Sequence, residues 1–396
     1  MSDGRLTERD GGAFRLETFL HRSQRVTITR GLLDPGNHLL RDSLGARRAL
    51  VVTSPSVWSL YGRSLHDYLS SGPVRAEVEY LVLDMAEASK SLDAAVEVCE
   101  RASAAGLRRT SPIVAVGGGV CSDICGLAAA LHHRGVPHLK VPTTLVGMID
   151  AGIGSKNAVN HGGRKSALGT FHPPEHSLLD PGFLASLPRH HLANGLAEIV
   201  KLAIVSDAAL FELVAGEVGS LLDSNFSAPA AVISRIIRLS VTGMLRELAA
   251  NPFETADYRR QVDFGHTFSP HVEVQSGHSV LHGEAVAIDM ALSSQLAREL
   301  GLLAGADLER ILSLLEAAGL PTTWPPLSAD ALWASLAGVV EHRNGDLHLV
   351  VPTRIGRCEY LGLERVSPTL LRLCHERLSQ RSRATRAAGS RAGVVA

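Results

Sequence analysis

No stretch of this sequence approaches the roughly 20 consecutive apolar residues that a membrane-spanning helix needs, so no membrane partner is expected. The first residues, MSDGRLTERDGG, lack the apolar centre of a secretory signal, which makes a cytoplasmic location the expectation. An excess of charge of one sign is also missing. The formal net charge is −1, so no global basic field attracts nucleic acid, and an anionic substrate must be met by local cations. Cysteine is sparse. Cys99, Cys121, Cys125, Cys358 and Cys374 are odd in number and fit neither a disulfide framework nor a zinc ribbon. Cys121 and Cys125 stand one helical turn apart in an apolar stretch and read as buried thiols. Internal repeats with a period of roughly 20–50 residues are absent.

What is present is apolar material in quantity. The chain has 396 residues, 45% of them hydrophobic, enough for two domains with real cores. Residues 1–13 are expected to form a flexible leader, and residues 379–396, rich in Arg, Ala, Ser and Gly, a disordered tail. Strand-like runs at Ala49–Ser54, Val78–Asp84, Pro112–Gly119 and His138–Thr144 alternate with helical patterns at 56–71, 89–105 and 120–133. This alternation predicts an α/β domain over residues 14–180 with a mostly parallel, Rossmann-like sheet. From 181 to 378 helical patterns follow one another, at 192–205, 207–222, 228–250, 266–276, 282–300 and 306–318, with one late strand or hairpin at Asp346–Pro352. An α-helical C-terminal domain is expected, with a site in the cleft between the two.

Three local patterns carry chemistry. Gly117-Gly118-Gly119 joins a strand to a helix, where backbone N–H groups and the helix dipole suit a pyrophosphate; a tight turn that merely lets the helix pack closely looks the same. Asp123 lies in the first turn of that helix. Glu198, in GLAEIVK, sits on an otherwise apolar helix, where a carboxylate must be paired or coordinated, and Lys201 is one available partner. His266 and His282 stand in the glycine-framed contexts FGHT and LHGE. One carboxylate and two imidazoles would leave positions open on a zinc or cobalt ion, as catalytic sites do. Finally, DAGIGSK (Asp150–Lys156) and NHGGRKS (Asn160–Ser166) make a glycine-rich basic loop suited either to phosphate or simply to solvent.

Taken in order, GGGVCSDICGLAAA, HHRGV, VPTTLVGMIDAGIGSK, GRKSALGTFHPP, GLAEIVKLA, DFGHTFSP and LHGEAVAIDM resemble the motifs of the dehydroquinate synthase superfamily, the sugar phosphate cyclases, over about residues 49–360. The resemblance implies NAD and a divalent metal as cofactors. It implies Glu198, His266 and His282 as metal ligands, and Gly117, Gly118, Gly119, Asp123, Thr143 and Thr144 as residues holding NAD, with Glu87 and Lys90 of AEASKSL at its ribose. Asp150, Lys165, Lys156, Lys201, Arg259 and Asp263 would form the substrate pocket, the last four of them catalytic. Arg134 of HHRGV would reach the phosphate bound by the partner subunit of a homodimer.

Departures from the family pattern bear on the substrate. Dehydroquinate synthases read N-x-G-H-T-x-G-H, whereas this chain has Asp263 in place of the Asn and Pro270 in place of the second His. A family lysine that holds the substrate carboxylate falls near Met244, with Arg246 close enough in sequence to compensate. Losing a cation and gaining an anion should disfavour a carboxylate by about 2–4 kcal/mol. The D-F-G-H-T-F-S-P form resembles the sedoheptulose 7-phosphate cyclases, which make 2-epi-5-epi-valiolone, 2-epi-valiolone or desmethyl-4-deoxygadusol, the first being the commonest in bacterial natural-product pathways. In the implied cycle NAD oxidises the C5 hydroxyl, phosphate leaves from C7, the hydride returns, and the C6–C7 enol closes on the C2 ketone. The alternatives are a dehydroquinate synthase, a metal-dependent polyol or alcohol dehydrogenase, and a non-catalytic nucleotide-binding regulator.

Overall fold

The computed structural model describes residues 3–9, 13–19, 21–71, 76–254, 259–277, 279–342 and 346–392. An N-terminal antiparallel hairpin, β1 (Asp3–Arg9) and β2 (Ala13–Phe19), comes first. The main sheet then takes β3 (Arg25–Ile28), β4 (Ala49–Thr53), β5 (Val78–Val82), β6 (Ile113–Gly117) and β7 (His138–Pro142). A second hairpin, β8 (Lys156–His161) and β9 (Arg164–Phe171), precedes the last sheet strand, β10 (His176–Leu179). The order is β3-β10-β7-β6-β4-β5, with every pairing parallel. β4, β6 and β7 are buried at every position, which is why their sequences run apolar without alternation.

Helices α1 (Leu39–Leu44), α2 (Pro55–Ser70), α3 (Leu92–Ala104) and α4 (Gly119–Leu131) cover the sheet. Ser54 and Ser91 cap α2 and α3 by accepting from Val57 N and Ala94 N. The chain steps outward from β4 to β5, then returns to the other side of β4 and continues through β6 and β7. Loops leaving the carboxyl ends of β4 and β6 therefore diverge and open a crevice, and Gly118 and Gly119 lie at its mouth.

The rest is mainly helical: α5 (Arg189–Ser206), α6 (Ala208–Asp223), α7 (Ala230–Ala250), α8 (Ser269–Gln275), α9 (His282–Glu299), α10 (Gly305–Ala317) and α11 (Ala329–His342), then the hairpin β11 (Leu349–Arg354) and β12 (Arg357–Leu361), then α12 (Pro368–Ala392). α5 and α9 are buried on nearly every face and pack against each other, as central helices that are apolar all round must. One apolar core runs from the sheet into these helices.

Three expectations are corrected. Residues 3–9 and 13–19 pair in register as an antiparallel hairpin, Leu6 opposite Leu16, where the composition suggests a loose leader. The basic glycine-rich loop is in part the β8–β9 hairpin, turned by Gly162 and Gly163 at φ 58° and 73°, values that suit a two-residue turn. The basic tail continues α12 to Ala392, since Ala and Arg are strong helix formers, and Arg381 Nε anchors it on Glu316 Oε1 at 3.1 Å. Residues 393–396 of that tail lie outside the described residues. Among the described residues no helix is long and apolar enough to cross a membrane.

Candidate active site

α5 carries Glu198 into the middle of the molecule, where it is fully buried. Its Oε2 accepts from Lys201 Nζ, one helical turn on. Its Oε1 has no hydrogen-bond partner and faces two imidazoles, His282 Nε2 at 3.3 Å and His266 Nε2 at 3.8 Å. One donor atom from each residue lies within 4.8 Å of the other two. Burial alone would raise the Glu198 carboxyl, but Lys201 and the two imidazoles outweigh it and hold it well below the usual carboxylate range. Burial, with Lys201 beside it, pushes His266 down to about 4, leaving the neutral imidazole that a cation requires. A buried carboxylate oxygen without a partner beside two ring nitrogens is a donor set that fits a divalent cation.

Glycine accounts for the framing of both histidines. Gly265 has φ 77°, and a Cβ there would stand 2.9 Å from Val286 and Met290 of α9. A Cβ on Gly283 would stand 2.1 Å from Asn194 O of α5. Both histidines reach Glu198 only because backbone and helix meet this closely.

A further carboxylate, absent from the sequence-derived set, completes the arrangement. Glu273 on α8 is 4% exposed; its Oε1 lies 3.0 Å from His282 Nδ1, and its Oε2 pairs with Lys165 from β9. Burial would raise its carboxyl, but His282 and Lys165 bring it down to about 2. Burial and Lys165 lower His282, yet Glu198 and Glu273 together raise it to about 9. Asp289, two turns beyond His282 on α9, accepts from Ser269 N at 3.0 Å and from Phe268 N, which fixes the start of α8.

Lys165, Lys201, His266, Glu273 and His282 line a cavity of about 1370 Å³, more than a single small ligand needs. The same cavity is also lined by Glu87, Lys90, Gly118, Gly119, Asp123, Thr143 and Thr144. Lys90 Nζ lies 2.6 Å from Asp123 Oδ2, and Asn160 Nδ2 donates to Glu87 Oε1 at 2.9 Å. Gly117 sits behind this wall at the end of β6, where its carbonyl accepts from Thr143 N at 2.9 Å. The wall nearer Glu198 includes Asp150, Lys156, Lys165, Lys201, Asp263, His266 and His282. Asp150 titrates above its ordinary value, first through burial and then through the Glu198 carboxylate.

Two residues named from the sequence stand elsewhere. Arg259 is exposed and lies outside the cavity wall; Arg260 lines it instead, paired with both Asp263 and Glu254. The two arginines are adjacent in a segment without helix or strand periodicity, so the sequence offers no phase to tell them apart. Arg134 is exposed, at φ 64°, and lies outside the cavity of its own chain. Met244 is 4% exposed and lines the cavity, whereas Arg246 is exposed and does not, so Arg246 supplies no substitute cation.

The family model described as 3-dehydroquinate synthase N-terminal matches residues 80–194, and that described as 3-dehydroquinate synthase C-terminal matches residues 195–338. A 2-epi-5-epi-valiolone synthase of Streptomyces hygroscopicus subsp. jinggangensis is 44% identical over 359 residues, 88% of this chain and 86% of that one. A 3-dehydroquinate synthase of Synechococcus sp. is 40% identical over 354 residues, 88% and 92% of the two chains. The solved structure of the Streptomyces hygroscopicus 2-epi-5-epi-valiolone synthase with NAD+ and Zn2+ bound superposes with a TM-score of 0.88 at 42% identity, covering 93% of this chain and 99% of that one. With both halves of the molecule matched and the α/β and helical layers in common, the chain belongs to the dehydroquinate synthase family of sugar phosphate cyclases.

Proposed function

We propose that the chain is a sedoheptulose 7-phosphate cyclase, a carbon–oxygen lyase acting on a phosphate ester, which uses NAD as a recycled hydride carrier with zinc or cobalt and releases 2-epi-5-epi-valiolone. The observation that carries the proposal is the convergence of Glu198, His266 and His282 beside a cavity that the glycine turn also lines. Met244, uncharged and lining the cavity near where the family pattern has a lysine, favours a substrate without a carboxylate. The relatives named 2-epi-5-epi-valiolone synthase support the same choice.

Bound there, a divalent cation supplies Lewis acidity to substrate oxygens, and a nicotinamide supplies a reversible hydride acceptor. Glu198, His266 and His282 would hold the cation; Gly118, Gly119, Asp123, Thr143 and Thr144 would hold the dinucleotide, with Glu87 and Lys90 at its ribose. Lys201 Nζ, fixed by Glu198, places a positive donor where negative charge develops on a substrate oxygen. Lys156 and Lys165 bring two ammonium groups from the β8–β9 hairpin, the cations for a phosphate. Asp150, whose carboxyl keeps its proton to higher pH, is placed to exchange that proton with a substrate hydroxyl. Ser155 Oγ donates to Pro252 O at 3.3 Å and Lys156 pairs with Glu254, which ties the start of the β8–β9 hairpin to the segment after α7. The chain acts as a homodimer in this scheme, in which Arg134, exposed and outside its own cavity wall, serves the site of the second copy.

Incubation with sedoheptulose 7-phosphate, NAD and zinc or cobalt, followed by NMR of the product, is the test. A cyclitol formed without accumulation of NADH supports the proposal. Turnover of only the carboxylated substrate of dehydroquinate synthase would assign the chain to the activity named for its Synechococcus relative, and net NADH would make it a polyol dehydrogenase.

A further inference from the structure

The two histidines at the centre of the cavity are oriented by unlike partners. His266 Nδ1 lies 3.1 Å from Phe264 O, a neutral backbone carbonyl of its own loop. His282 Nδ1 lies 3.0 Å from Glu273 Oε1, a buried carboxylate nine residues earlier on a different helix. The other oxygen of that carboxylate pairs with Lys165, which lines the cavity. A neutral imidazole presents one lone pair and one N–H, and an acceptor-only group at Nδ1 decides which nitrogen carries the proton.

We propose that Glu273 is a positioning residue serving two sites at once: Oε1 fixes the Nδ1–H tautomer of His282, turning Nε2 toward Glu198 and the cation, while Oε2 holds the Lys165 ammonium at the cavity wall. The inference rests on the metal reading above. The helix that carries Glu273 is fixed in place, because the start of α8 is pinned by Asp289 through the backbone of Phe268 and Ser269. A carboxylate behind a ligating imidazole also makes the ring a stronger donor, so Glu273 contributes to metal affinity without touching the metal. Lys165 draws on the other oxygen of the same carboxylate and its Nζ stands 3.4 Å from His282 Nδ1; an ammonium only donates, so it cannot hold an Nδ1–H and is not needed for that contribution.

Zinc dissociation constants measured by chelator competition on the NAD-loaded wild type, Glu273→Gln and Lys165→Met, each beside thermal unfolding of its metal-free form, test this. E273Q should lose about 10–100-fold in zinc affinity, while K165M binds zinc at least as tightly as the wild type. E273Q within about twofold of wild type overturns the proposal, as does an equal loss in K165M, which would make the ion pair a packing contact of α8. A wild type that binds no zinc would instead overturn the metal reading itself. If E273Q does not fold, the ring 15N spectrum of zinc-loaded wild type decides: a protonated Nδ1 on His282 supports the proposal, and a metal-bound Nδ1 ends it.

Discussion

Arg260 donates to Asp263 at the cavity wall, so the carboxylate standing where the family pattern has asparagine is paired rather than bare. Arg260 also pairs with Glu254, and its charge is shared between two carboxylates. On the proposed function, discrimination against a substrate carboxylate rests less on bare repulsion from Asp263 than on the want of an uncommitted donor near Met244. Replacing Met244 by Lys together with Asp263 by Asn should raise kcat/KM for the carboxylated substrate of dehydroquinate synthase by about tenfold or more relative to sedoheptulose 7-phosphate, the worth of one charge-assisted hydrogen bond. Side-by-side steady-state kinetics on the two substrates measure this. An unchanged ratio would move the specificity determinant elsewhere in the cavity.

The Glu198 group makes a prediction about stability. A ligand that binds only the folded chain stabilises it by about 3 kcal/mol at a hundredfold excess over its dissociation constant. Zinc should therefore raise the unfolding temperature of the wild type by several degrees and leave His266→Ala unshifted, with activity lost in the same variant. Glu198→Gln removes the charge that offsets Lys201 in a fully buried place, so it should also be less stable without metal. Calorimetry with and without zinc separates the two effects.

Much of this site was legible because burial makes certain residues anomalous in sequence. Glu198 stands out as a lone carboxylate on a helix that is apolar all round, and the histidines stand out by their glycines, which the structure explains by close backbone approach to α5 and α9. Glu273 left no such signal. It lies on a seven-residue helix of mixed polarity, and one of its partners, Lys165, is 108 residues away, a contact that only the folded chain creates. The same holds for the choice between Arg259 and Arg260. The β8–β9 hairpin was hidden for a different reason: glycine content reads as loop, although a paired Gly162-Gly163 is what a tight hairpin turn requires.

Lys140 gives a pH dependence. Its ammonium is fully buried under the sheet's carboxyl end, donating to Ala151 O at 2.9 Å and Gly154 O at 3.2 Å, and burial lowers it to about 8 from 10.5. The unfolded chain holds this proton more tightly than the folded one, so burial of the charge costs stability below pH 8. That cost is relieved as pH rises from about 8 to about 10.5, a contribution on the order of 3 kcal/mol. Urea unfolding between pH 7.5 and 10 should show a stability slope in the wild type that is more positive than in Lys140→Met. The comparison of slopes cancels the two carbonyls left unsatisfied in the variant, and equal slopes would show that the folded chain keeps Lys140 at its ordinary value.

Arg134 offers a test of assembly. It is exposed and lies outside its own cavity, on a loop held at positive φ by consecutive residues His133 (49°) and Arg134 (64°), a conformation that costs free energy and persists where something constrains it. If Arg134 serves the cavity of a second copy, Arg134→Ala and His266→Ala are each inactive alone but complement one another on mixing. In a random mixture about half the dimers are hybrids, and each hybrid has one intact site, so about a quarter of wild-type activity should return. Subunit exchange followed by activity assay and by mass measurement of the complexes reads this directly. Residual activity that never exceeds the sum of the two separate variants, in a preparation shown to contain hybrids, would confine Arg134 to a role within its own chain.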